Sequence, residues 1–253
     1  MFVLDYRTGV VFLCLFQFVF VTNGLSSSAS TKRGAAPCLK ALLKKPSKVL
    51  TVGVEVSSGC ALSSSNTELS ILSMQLRKSK VSFIVCSQSE IVKELVREQE
   101  SARGNFPGPV PIIYNGPDTK SAVANGAQAI ILPVNADITS DCETIWRIET
   151  KEDAESIQDT AEAFFLDAEE SDVSAILTIL PSDSLCIAAL NPMQVDSEEI
   201  EQGKQFKKEG FASVFVKNAC VGDAEDLPYA HYLVDGLTNK ASSEFKFSGL
   251  VSD

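Results

Sequence analysis

The chain predicts one closed (β/α)8 barrel behind a targeting leader. Three observations carry that reading. From residue 49 onward, eight short apolar runs alternate with amphipathic segments. The runs are mostly continuous Val, Ile, Leu and Ala, as expected of parallel strands buried on both faces. The segments between them carry helix caps and apolar residues at helical spacing. Residues 49–253 are enough for such a barrel, which needs about 200 residues or more. A flavodoxin-like sheet or two small α/β domains are the competing arrangements.

The leader comes first. Residues 1–9 hold one basic group, Arg7, and residues 10–21 (VVFLCLFQFVFV) form an apolar core, the layout of a secretory signal peptide. Thr22 and Gly24 supply small residues for cleavage after Gly24. The core is shorter than a bilayer span, which needs roughly 20 residues. Residues 1–24 therefore read as a removed signal, and no stable membrane insertion is expected after processing. Residues 25–48 (LSSSASTKRGAAPCLKALLKKPSK) are hydroxylated, basic and free of Asp and Glu, the composition of a transit peptide. The two parts together resemble the bipartite presequence of plastid proteins in algae whose plastid lies inside the endomembrane system. Leu25 stands where such presequences usually place an aromatic residue. The resemblance implies a plastid stroma; the competing destination is secretion.

Along the barrel, residues 49–56 (VLTVGVEV) read as the first strand. Asn66 caps a helix over TELSILSMQLRKSK, whose Leu69, Leu72 and Leu76 share one face. Residues 81–86 (VSFIVC) form strand two, and Ser89 caps a charged helix reaching Arg103. After the Pro/Gly connector GNFPGPVP comes strand three at 112–114. Pro117 and Asp118 then open a short helix that Gly126 ends. Strand four is 129–134, and NADITSDCE is too short for a full helix, so one outer helix is shortened. Strand five is 144–148, with Thr150 capping KEDAESIQDTAE; strand six is 163–167. A helix near 173–180 precedes strand seven at 185–190. Asp196 or Ser197 caps EEIEQGKQFKKEG, Gly210 ends it, and strand eight is 212–216.

Removing residues 1–48 takes away seven of 22 basic groups and one of 33 acidic ones, leaving a formal charge of −17. Such a field repels nucleic acid, whose binding depends on Lys and Arg displacing counterions. Five cysteines remain (Cys60, Cys86, Cys142, Cys186, Cys220), an odd number without a CxxC pair, so free thiols are expected rather than a disulfide scaffold. With a single histidine, His231, no metal site of ordinary Cys/His spacing is expected, and no cofactor.

Three segments carry a family likeness. ILPSDSLCIAALNPMQVDSEEIEQGKQFKKEGFASVFVKNACVGDAED, NGAQAIILPV and ETIWRIETKEDAESI resemble the strand seven to eight, strand four and strand five segments of indole-3-glycerol phosphate synthase. That family closes an indole ring and expels carbon dioxide and water from a phosphorylated substrate. The resemblance implies a lysine general acid near the end of strand one or three, a carboxylate to receive a proton, and backbone N–H groups after strands seven and eight for phosphate. Glu55 matches the family's strand-one glutamate. Ser57 stands at the lysine position, and Tyr114 or Asn115 ends strand three. Arg147 replaces a glutamate, and Asp167 and Ala168 stand where the family has asparagine. The strand-seven Glu-Ser-Gly becomes Ala189, Leu190, Asn191, followed by Pro192, which has no N–H to offer. Lys217 takes the place of the strand-eight glycine.

These positions define a mixed-charge rim. Glu55, Lys217 and Asp167 are the candidates for proton transfer, Lys217 pairing with Asp167 or Glu55. Ser57, Arg147, Glu149, Asn191 and Asn218 are the candidates for holding a small phosphorylated or anionic ligand. Salt bridges filling a closed mouth are the competing reading. Two functions follow: an indole-3-glycerol phosphate synthase-like lyase in a plastid, or a non-catalytic plastid barrel with a protein partner. His231, between Tyr229 and Tyr232, reads as packing or surface, Trp146 as core, and the acidic runs EEIEQ and DAEES as solvated helix faces.

Overall fold

Parallel strands cannot be joined by hairpins; each needs a crossover, which a right-handed helical return supplies. In the computed structural model the chain repeats this unit until the sheet meets itself. The order is α1 (Pro37–Leu43), β1 (Thr51–Val56), α2 (Asn66–Lys78), β2 (Phe83–Cys86), α3 (Ser89–Ser101), β3 (Ile112–Tyr114), α4 (Thr119–Ala124) and β4 (Ala129–Pro133). It continues with β5 (Glu143–Ile148), α5 (Lys151–Ile157), β6 (Ala163–Leu166), α6 (Glu170–Ile179), β7 (Leu185–Leu190), α7 (Glu198–Glu209), β8 (Ser213–Cys220) and α8 (Asp226–Thr238). Each strand pairs with its chain neighbours, and β1 pairs in parallel with β8, which closes the barrel and excludes an open sheet. The structure describes residues 36–44, 49–57, 66–137, 142–167, 170–191, 198–221 and 226–238. The signal peptide, residues 25–35, Cys60, Ala168, Pro192, the Asp196 or Ser197 cap and the tail beyond residue 238 lie outside them.

Local chemistry sets the helix ends. The Asp118 side chain accepts from Ser121 N at 3.1 Å and caps α4. Thr150 and Asp153 form a reciprocal capping box on α5. Gln88, rather than Ser89, occupies the cap position of α3. Gly126 and Gly210 follow α4 and α7 at φ +96° and +114°, a conformation that side-chain-bearing residues resist.

Two cores result. The outer one lies between strands and helices and holds Trp146 and the even-numbered residues of β1, such as Val52 and Val54. The inner one fills the barrel with Phe83, Ile113, Ile145, Phe165, Ile187 and Phe215. Phe165 and Phe215 meet edge to face with centroids 5.5 Å apart. A Cβ on Gly53 would come 2.1 Å from the Phe83 ring, so the bare backbone of β1 leaves the room that ring fills.

The packed chain begins before residue 49. Within the stretch 25–48, read from sequence as one transit-like segment, α1 lies under the inner core, with Leu39 and Leu43 each 1% exposed. The Glu143 carboxylate at the start of β5 holds the helix by accepting Cys38 N at 2.7 Å and Leu39 N at 2.9 Å. Those N–H groups have no partner within the helix, and a negative charge suits that end. Lys44 Nζ then donates to the carbonyls of Ser182 and Ser184 at 2.8 and 3.0 Å. Residues packed with the barrel therefore reach back at least to Ala36, itself fully buried.

Leu39→Ala should cost about 2–5 kcal/mol, the usual range for a truncated core leucine. Thermal unfolding reads it, and an unchanged midpoint would remove α1 from the folded domain.

Candidate functional site

Side chains alternate faces along a strand, and in this barrel the odd-numbered residues point inward, as the inner core shows. Extending that alternation to the strand ends brings Glu55, Asn115, Arg147, Asp167 and Lys217 to the mouth. Barrel interiors are filled in layers, each drawn from alternate strands, and the contacts follow that rule. Phe165 of β6 meets Phe215 of β8 inside, and one step higher Asp167 meets Lys217 in a short ion pair. Between them β7 offers only Ala189 and Asn191 on that face, so nothing bulky separates the charges. Both side chains keep a share of solvent, 29% and 27% exposed.

Glu55 belongs to the other layer and finds a different partner. Its Oε2 accepts Asn218 N at 2.8 Å. The cause is a bulge in β8: Val54 pairs with Val216 and Val56 with Cys220, so Lys217, Asn218 and Ala219 stand opposite the single residue Glu55. Asn218 takes φ +49° there, which asparagine tolerates better than most residues. The strand resumes beyond the bulge, which is why β8 runs to Cys220 and not to the predicted Val216. Ser57 N donates to Cys220 O at 2.9 Å and continues the pairing.

Arg147 of β5 donates through Nη2 to Asn115 Oδ1 at the end of β3, again skipping one strand. Its Nη1 lies 3.9 Å from Glu149 Oε1, and its Nε is buried without a hydrogen-bond partner. A cleft of about 230 Å³ opens beside it, lined by Pro133, Val134, Asn135, Glu149 and Asp153. Asn191 is exposed just past β7, and among the described residues no hydrogen bond joins it to this group. The structure thus brings Glu55 to Asn218, Asp167 to Lys217, and Arg147 to Glu149 and Asn115.

Cys86, at the end of β2, is no nucleophile: burial, reinforced by the Glu55 charge, pushes its thiol up to about 12. Cys186 and Cys220 are also buried. Among the described residues no group of three or more His, Cys, Asp and Glu is placed to hold a metal ion, and no helix is long and apolar enough to cross a membrane.

Sequence reasoning missed two features. Asn115 was noted only as a departure from the family, yet its parity with Ile113 marks it as inward-facing. Glu199, taken as part of a solvated acidic face, is 2% exposed. Its charge and, above all, burial hold the Tyr229 phenol above its ordinary range. The reason is close helix packing: Leu237 of α8 sits against Gly203 of α7, and Ile200 of α7 against Gly236 of α8. His231 is exposed and pairs with Asp235 at 3.3 Å one turn on, a surface role.

Fold and site define a closed (β/α)8 barrel with a charged mouth. The solved structure of thiamine phosphate pyrophosphorylase from Pyrococcus furiosus is similar to this chain, with a TM-score of 0.52 and 11% identity over 76% of this chain and 98% of that one. At that identity the likeness is one of fold. No protein-family model matches the chain, and no curated protein does.

Lys217→Met and Asp167→Asn, made singly and together, should show a coupling of about 1 kcal/mol or more in denaturant unfolding. Strictly additive effects would mean that the pair does not form in solution.

Proposed function

We propose that this barrel is a divergent relative of indole-3-glycerol phosphate synthase that acts on a small phosphorylated or otherwise anionic substrate, with Lys217 as general acid and Asp167 as its proton partner. The observation that carries the reading is the contact between these two side chains on the inward face of the mouth. A proton donor in direct reach of a carboxylate, and partly open to substrate, meets the geometric requirement for acid/base work. Ser57, and Tyr114 or Asn115, stand where the family keeps its lysines, which leaves Lys217 as the inward-facing ammonium among the described residues of this rim. In the proposed step Lys217 gives a proton to the departing oxygen, which leaves as water, while the Asp167 carboxylate takes the proton that the substrate carbon releases and passes it to the neutral Lys217 amine. Arg147, which lines an open cleft, offsets the substrate's negative charge.

A second reading has its own observation. Glu55, Arg147 and Lys217 each already hold a partner within the chain, as in a barrel that has given up chemistry for binding or assembly. Adding 1-(2-carboxyphenylamino)-1-deoxyribulose 5-phosphate to the full chain separates the two, with indole fluorescence and the thermal midpoint followed together. Indole product, lost in Lys217→Met, supports the lyase. A raised midpoint without product supports a binding protein, and neither signal refutes a ligand of this class at the mouth.

We also infer delivery to a plastid within the endomembrane system, from the apolar core at 10–21 and the acid-free basic stretch after it. Fusing residues 1–35 to a fluorescent protein leaves α1 with the barrel. Plastid fluorescence is expected in an alga with such a plastid, and secretion of the fusion would sink the assignment.

A further inference from the structure

We infer that the floor of the barrel carries a second ligand site, a cleft for an organic anion with an apolar body. The cleft lies at the end opposite the mouth, where α7 ends and β8 begins. It measures about 510 Å³, within the usual size of small-molecule sites, about 300–1,000 Å³. Val49, Phe211 and Ala212 give it apolar walls, and three lysines, Lys44, Lys207 and Lys208, line it as well. Phe211 is fixed from behind by Phe206, ring centroids 5.2 Å apart, so the wall is rigid.

The cations are what point to an anion. The whole chain carries a net charge of −11, yet three lysines from two separate parts of the chain line one hollow. Neither Lys207 nor Lys208 forms an ion pair among the described residues. Both suit the last turn of α7, whose carbonyl end favours cations. That does not account for Lys44, which directly follows α1. Two of its three N–H donors are spent on Ser182 O and Ser184 O, which pins the ammonium in place and leaves a third donor. Asp183 offsets part of the Lys44 charge and Glu201 part of that of Lys208; like charges repel one another, and a bound anion removes the repulsion that remains. The walls select among anions: a bare phosphate gains nothing from Phe211 and Val49, whereas an aryl or acyl carboxylate or sulfonate buries its apolar part there. Such a ligand would bridge the segment after α1 to the end of α7.

The test uses the full chain and 8-anilinonaphthalene-1-sulfonate, an aromatic body bearing one anion. Saturable, salt-sensitive fluorescence enhancement is expected, weakened about tenfold or more in Lys207→Glu/Lys208→Glu. A charge-matched control, Lys93→Glu/Lys120→Glu on exposed helix faces, should bind as the parent does. Lys44→Met, which adds no negative charge, should also weaken binding. Decanoate should displace the probe, and inorganic phosphate at the same concentration should not. Equal binding by both double variants, or no saturable binding, overturns the site. Displacement by phosphate as readily as by decanoate overturns the ligand class.

Discussion

The seam between β1 and β8 governs this molecule. A cylinder of parallel strands has no free edge only if its last strand finds its first, and that pairing fixes which residues of every strand face inward. Thr51 opposite Ser213 and Gly53 opposite Phe215 set the register at the floor and in the middle. The bulge above them bends β8 so that one backbone N–H is turned onto Glu55. Had β8 continued regularly, Asn218 would stand in the ladder and Glu55 would lack that donor. The same seam therefore gives the interior its apolar filling and the mouth its wiring.

Layering by alternate strands explains the pairing of charges. Aspartate on β6 and lysine on β8 share a layer, as do arginine on β5 and asparagine on β3, and in each case the intervening strand offers a residue without a long polar side chain, Ala189 or Pro133. Each charged group described at the mouth thus has a partner in its own structure. An anion entering there competes with those internal partners. The floor differs. There Glu143 is wholly engaged with a helix terminus, while the lysines around the neighbouring cleft keep unused donors.

Much of this was legible in the residues. The eight runs were visible because strands buried on both faces are apolar at successive positions, and the caps at Asp118 and Thr150 because short polar side chains satisfy exposed N–H groups. The inward position of Arg147, Asp167 and Lys217 followed from their places at strand ends. The partner of each did not, since it depends on layer membership and on a bulge that no local pattern announces. Helix α1 hid for another reason. Leu39, Leu42 and Leu43 carry helical spacing, but they sit in a stretch whose bulk composition reads as a leader, and composition outweighed spacing. Glu199 looked solvated because its neighbours Glu198 and Glu201 are exposed; its burial comes from two glycines, Gly203 and Gly236, that draw α7 and α8 together.

The plug helix carries a consequence for the order in which the molecule is assembled. Among the described elements α1 is the earliest in the chain, yet its anchors come far later: Glu143 is 104 residues beyond Leu39, and Asp183, which Lys40 meets at 3.1 Å, is 143 residues beyond Lys40. Contacts across such separations must close large loops before they return any stability, which makes them slow. The floor shuts only after β5 and β7 exist to receive the helix. A chain emerging from a ribosome, or threading a translocation pore, is held short of its finished core by its own connectivity.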